Sequence, residues 1–191
     1  MFVRFGFVTP ELEALKDVAA RLEGAGFRYM LTGSMALSHY APPRTTRDID
    51  LVVEIASGDA SKVVAVFTPD YYIAESDVSR ALGEHGMFNI LDLRNLIKID
   101  LIVRKEAPYR LEEFRRRRRV TLDGFDAWIV SKEDLILSKL VWAKDSGSAM
   151  QLRDVRALLA GKVDLVYLAR WAAELSVAQE LKAGFNARHD S

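Results

Sequence analysis

The sequence has 191 residues, 50% of them hydrophobic, which is enough for one domain or for a compact domain with a helical extension. Lys+Arg and Asp+Glu both total 27, so the chain is neutral, lacks the broad basic field of a non-specific nucleic-acid binder, and confines any nucleic-acid contact to a local patch. The lack of cysteine excludes a disulfide scaffold, a thiol nucleophile and a Cys-based zinc site; no run approaches the ~20 apolar residues of a membrane span, so a soluble, cytoplasmic protein is expected.

Residues 1–7 are apolar around Arg4 and read as a first strand or a core plug. Thr9, Pro10 and Glu11 then supply an N-cap, a first-turn proline and an early acid for a helix whose apolar positions Leu12, Leu15, Val18, Ala19 and Leu22 recur at helical spacing until Gly24 and Gly26. Residues 27–31 read as a short buried strand, Gly33-Ser34 as a tight turn, and 35–40 as a helix stopped by Pro42-Pro43. A strand follows at 48–54, helices at 61–67 and 77–82, and strands at 87–91 and 97–103. After Pro108 a charged helix is expected to carry Arg115 to Arg119, and 120–130 reads as a hairpin turning at Asp123-Gly124. From Ser131 onward the pattern is helical only, at 132–144, 151–159, 165–175 and more weakly 178–183. The chain therefore divides near residue 130 into an α/β domain (1–130) and a helical lobe (131–191) packed on it.

Chemistry concentrates in Thr32-Gly33-Ser34 and Asp48-Ile49-Asp50. Residues two apart on a strand point to the same side, so Asp48 and Asp50 present two carboxylates to one spot. Magnesium takes hard oxygens from one or two carboxylates, phosphates and water, and a glycine turn before a helix N-terminus lets backbone N–H groups approach phosphate. Asp100 is a third acid, set among Ile97, Ile99, Leu101 and Ile102, where a carboxylate needs a metal or a cationic partner; Arg94 and Lys98 are the nearest in sequence. Taken singly, Asp-x-Asp is a common surface pattern and Gly-Ser a common N-cap; their order on strand, turn and helix is what gives them weight.

At these residues the sequence resembles the polymerase-beta-like nucleotidyltransferase superfamily, whose pattern of Gly followed by Gly or Ser, a spacer, and Asp-x-Asp/Glu is matched by Gly33, Ser34, Asp48 and Asp50. The stretch Arg44-Thr45-Thr46-Arg47-Asp48-Ile49-Asp50-Leu51 is similar to the branch that contains abortive-infection toxins of type IV toxin–antitoxin systems and related bacterial proteins. The segment 133–159 is similar to that branch's helical motif, with Lys139 and Asp154 at its lysine and aspartate. The chain is shorter than typical toxins of that group. The resemblance implies a mixed α/β (α+β) sheet flanked by helices with a C-terminal helical lobe. It also implies a nucleoside triphosphate substrate, magnesium held by Asp48, Asp50 and Asp100, with Asp100 helping to hold a second ion or acting as general base, and triphosphate contacts at Gly33, Ser34 and Lys139. Nucleoside monophosphate would pass to an acceptor hydroxyl on RNA such as tRNA, on protein or on a small molecule, with a cognate antitoxin as a possible partner. The competing reading is a non-catalytic relative that binds nucleotide or a partner protein.

Lys139 has apolar neighbours Leu135, Ile136, Trp142 and Ala143 at helical spacing. Either its stem covers apolar surface while its ammonium reaches water, or it reaches a phosphate; Asp154 pairs with it or with Arg153, or faces solvent. Trp142 reads as core. Five consecutive arginines on a helix sweep about 400°, so they cannot all face one ligand, and Glu112 and Glu113 precede Arg116 and Arg117 by four positions as salt-bridge partners. Ten basic residues nevertheless stand against four acidic ones between Arg94 and Arg119, which leaves a polyanionic acceptor as the alternative to a solvated face. His39, His85 and His189 share no metal-ligand spacing.

Overall fold

The computed structural model describes residues 9–42 and 48–186. The expected first strand at 1–7, the Arg44 to Arg47 half of the branch-specific stretch, and His189 lie outside the described residues. Helix α1 (Pro10–Gly24) begins as its sequence dictates: the Thr9 hydroxyl accepts from the Leu12 N–H at 3.3 Å, and Pro10 occupies the first turn. Strand β1 (Arg28–Thr32) runs directly into α2 (Gly33–Tyr40), and β2 (Ile49–Glu54) follows. Next come α3 (Ala60–Phe67), β3 (Tyr71–Tyr72), α4 (Glu75–Glu84), β4 (Met87–Asp92), β5 (Ile97–Val103) and α5 (Pro108–Arg115). The hairpin of β6 (Arg118–Leu122) and β7 (Phe125–Ile129) turns at Asp123-Gly124, both at positive φ. From there the described chain is helical: α6 (Lys132–Ser146), α7 (Ala149–Leu159), α8 (Leu165–Glu174) and α9 (Ala178–Asn186).

The strands form one mixed sheet in the order β3-β4-β5-β2-β1-β7-β6. Pairs β2/β5 and β1/β7 are parallel and the others antiparallel. Alternation fixes its two faces: in β2, Ile49, Leu51 and Val53 are buried while Asp50, Val52 and Glu54 are half-buried. The first set, with Ile99, Leu101 and Val103 of β5, belongs to a core that includes Leu15, Val18 and Leu22 of α1, Val63 and Phe67 of α3, and Val78 of α4. Asp50 and Val52 of the second set line a cavity with Arg110 and Glu113 of α5 and Ser138 and Lys139 of α6. Leu135, Ile136 and Leu140 of α6 and Val155 and Leu158 of α7 join the same apolar cluster. Among the described residues no helix is long and apolar enough to cross a membrane.

One element is added and one expectation corrected. The two-residue strand β3 is not expected from the sequence, being too short to show a period. The arginine run is not one helix either: α5 ends at Arg115, Arg116 caps it, and Arg118 and Arg119 already pair with Ile129 and Trp128 in the β6/β7 ladder. The hairpin register, set by the Asp123-Gly124 turn, carries strand pairing back into the run and overrides the helical preference of arginine.

Candidate active site

The site grows from one line of register. Thr32 at the end of β1 pairs with Asp50 of β2, and Asp50 pairs with Asp100 of β5. Residues directly opposite on neighbouring strands share a face, so Asp50 and Asp100 stand side by side about 4.8 Å apart at the backbone. Asp48, two residues before Asp50 and exposed, precedes β2. Gly33 turns the chain with φ 65° into α2, and a Cβ there would collide with the Asp50 carboxylate. Only glycine leaves room for that carboxylate under the strand–helix turn.

Asp50 carries the strain of this packing. Burial raises its carboxyl above the usual range, and the charges of Asp100 and Asp48 raise it further, while Lys139 and Lys98 partly offset them. Asp100 is held from one side: its Oδ1 accepts from the Asn89 Nδ2 across the β4/β5 ladder and lies 3.0 Å from the Lys98 ammonium. Of the two cations adjacent in sequence, Lys98 is the partner; Arg94 instead binds Asp92 and Asp17. Among the described residues no group of three or more His, Asp or Glu side chains stands close enough together to hold a metal ion. The donor chemistry nevertheless fits a hard dication, because Asp50 lines the cavity with Asp100 opposite it in register, and the repulsion of Asp50 by Asp100 and Asp48 is what a cation would relieve.

Lys139 is 3% exposed, and its ammonium donates to Asp154 Oδ2 at 2.8 Å and Gln151 Oε1 at 3.0 Å. Of the alternatives open for Asp154, pairing with Lys139 is the one realised, and the ammonium does not reach out to water. It still lines the same cavity as Asp50. That cavity, about 360 Å³, has Thr32, Gly33 and Asp50 at one end and Arg104, Ser138 and Trp142 among its other walls. Trp142, expected in the core, is 55% exposed. Glu113, expected to pair with Arg117 on a solvated face, is buried, accepts from Ser138 Oγ at 2.6 Å and from Arg110 at 2.8 Å, and lines the cavity. Sequence reasoning missed both. An acid flanking Phe114 and a serine between Leu137 and Lys139 carried only a weak signal of inward orientation.

The arginines disperse. Arg115 binds Glu112, Arg116 binds Asp134 and lies 3.8 Å from the Tyr167 ring centroid, Arg117 is sandwiched between Phe114 and Trp128, and Arg119 reaches Asp126. Four of the five arginines are thus held by separate neighbours, and not through the Glu112–Arg116 and Glu113–Arg117 pairs the spacing suggested. His39 is half-buried and its imidazole is pushed toward the neutral form by burial, while His85 closes α4 with Nδ1 2.8 Å from the Arg104 carbonyl oxygen.

The profile of a family described as "Nucleotidyltransferase of unknown function (DUF6036)" matches residues 7–186. No curated protein matches the sequence. Among solved structures, an antigenic nucleotidyltransferase-like protein from Paracoccidioides brasiliensis superposes with TM-score 0.58 at 18% identity, covering 92% of this chain and 94% of that one. The antibiotic-resistance factor ANT(2'')-Ia superposes with TM-score 0.52 at 15% identity, covering 96% and 95%. A lincosamide antibiotic adenylyltransferase, LnuA with lincomycin bound, gives 0.50 at 13% identity, covering 78% and 94%. At these identities the likeness is one of fold.

Proposed function

We infer a reaction from one premise: the chain belongs to the nucleotidyltransferase family DUF6036, matched over residues 7–186, within the polymerase-beta-like nucleotidyltransferase superfamily. The reaction is magnesium-dependent transfer of a nucleoside monophosphate from a nucleoside triphosphate to an acceptor hydroxyl. The observation that carries it is the register line Thr32, Asp50, Asp100, with Gly33 pressed against Asp50.

Asp48, Asp50 and Asp100 would hold magnesium, which when bound neutralises phosphate charge and polarises the α-phosphorus. Backbone N–H groups at Gly33 and Ser34, at the start of α2, orient the triphosphate oxygens. Lys139 places a positive charge on the cavity wall beside Asp50, held there by Asp154 and Gln151. Asp100 accepts the proton of the acceptor hydroxyl as its oxygen bonds to the α-phosphorus; the bond from that phosphorus to the bridging oxygen breaks and pyrophosphate leaves. Since little covalent chemistry falls to the protein, positioning and charge carry the rate. RNA such as tRNA, a protein hydroxyl and a small molecule are the acceptor classes to be tested. The toxin-like role and a cognate antitoxin rest on the resemblance of the 44–51 stretch and of the 133–159 segment.

A second reading, a non-catalytic nucleotide-binding relative, is favoured by one observation: Asp100 and Lys139 are both engaged by neighbouring side chains. The two readings separate when purified protein and magnesium are incubated with each labelled nucleoside triphosphate and total RNA, lysate protein or a small-molecule extract. Transfer predicts label in one acceptor class from one or more triphosphates. The second reading predicts triphosphate binding with no labelled product.

A further inference from the structure

Resting on the carboxylate site of the proposed function, we propose that Lys98 is a built-in counter-ion of that site: it occupies the Asp100 arm in the nucleotide-free protein and weakens divalent-metal binding until a triphosphate arrives. The Lys98 ammonium lies 3.0 Å from Asp100 Oδ1. Lys98 and Asp100, two apart on β5, share the face that carries Asp50. Continuing the Ile49–Ile99 register back by one residue brings Asp48 alongside Lys98, so the lysine stands on the row of one acid and touches another. Its charge also bears on Asp50, offsetting part of the repulsion from Asp48 and Asp100.

Exposure sets the direction of exchange. The Lys98 side chain is 54% exposed and that of Asp100 only 14%, so of the two it is the ammonium that has solvent to move into. An exposed ion pair of this kind is weak and leaves readily once a stronger cation competes. Asn89 holds the same Oδ1 and stays, since it is fixed in the β4/β5 ladder. A free dication must displace Lys98 and finds only carboxylates and water. A dication arriving on a triphosphate brings its own oxygen ligands, and the released ammonium then meets phosphate charge instead of water. The gap between the two modes of loading is therefore set by Lys98.

Mn2+ titration of the full chain, followed through the free-ion electron paramagnetic resonance signal, tests this without any turnover. Without nucleotide, Lys98→Met should bind Mn2+ roughly three- to tenfold more tightly than the wild type, whereas Lys98→Arg, which keeps the charge, should stay near it. With a non-hydrolysable triphosphate present the gap should narrow. Lys98→Gln, with its melting curve, serves as a second neutral variant should Lys98→Met fail to fold. Equal or weaker Mn2+ affinity in the neutral variants, while Asp50→Asn abolishes binding, overturns the role of Lys98 and leaves the carboxylate site standing. Absence of binding in every protein with and without triphosphate, or binding that survives Asp50→Asn, overturns both.

Discussion

Asp50 and Asp134 are both aspartates removed from bulk water, and they are surrounded in opposite ways. Asp134, 0% exposed at the start of α6, accepts from Ser131 at 2.5 Å, from Arg116 at 3.1 Å and from the Tyr167 hydroxyl at 2.6 Å. The charged neighbours that weigh most on Asp50 are two more carboxylates, and the glycine beside it is there to make room. The scaffold end of the molecule neutralises its buried charge internally; at Asp50 the charges of two further carboxylates are only partly offset by Lys139 and Lys98. Burial of a polar residue thus says little about function, whereas like charge that its neighbours only partly offset, beside a cavity, marks where a ligand can complete the structure.

The largest effect that would break this contrast lies at Asp50 itself. Asp50→Asn should lower nucleotidyl transfer by about 10²–10³-fold or more, read from initial rates at saturating magnesium. The same change should stabilise the nucleotide-free protein. Because the folded-state carboxyl is held above its ordinary range, its ionised form costs stability at neutral pH, and the melting temperature at pH 7 should rise. That gain should fade as pH falls through the titration of Asp50, where the wild type becomes neutral as well. A loss of stability at pH 7 would show that Asp50 is compensated as Asp134 is.

Lys139 sharpens the contrast, since it belongs to both worlds. Lys139→Met should cost about 3–5 kcal/mol in denaturant unfolding, because it leaves Asp154 buried without its counter-charge, and pairing it with Asp154→Leu should recover most of the loss. At the scaffold end, Arg116→Met should cost about 1–3 kcal/mol by removing a donor from fully buried Asp134. The smallest change is expected at Arg115, whose side chain is 74% exposed against Glu112: Arg115→Ala should shift neither the unfolding midpoint nor the salt dependence of RNA retention. A flattening of the log–log salt slope by about 0.7 would instead mean that Arg115 neutralises one RNA phosphate, and would return the run to the acceptor side.

Much of the cavity's carboxylate end was legible in the sequence because it is written in short-range rules. The apolar runs around Asp50 and Asp100 announced two strands, and glycine followed by serine marked the turn between β1 and α2. The start of α1 was legible because its cap, its first-turn proline and its apolar spacing agreed, as at Thr9 and Pro10. What escaped depends on long-range partners. The split of the arginine run follows from pairing with β7, and the inward turn of Glu113 from Ser138, 25 residues away. The exposure of Trp142 reflects a cavity mouth that no local pattern encodes. Lys139 was legible as an anomaly on an apolar stripe, but which acid answers it is decided only by the packing of α7 against α6.

The central claim, that the crowded carboxylates serve attack at the α-phosphorus, is tested most directly by the position of the label. Supplied with magnesium and the triphosphate and acceptor class that support transfer, the protein should move label from the α-phosphate into the acceptor and release γ-label only as pyrophosphate, and Asp100→Asn should abolish the transfer. Acceptor labelled from the γ-position, or α-label transferred equally well by Asp100→Asn, would contradict the account.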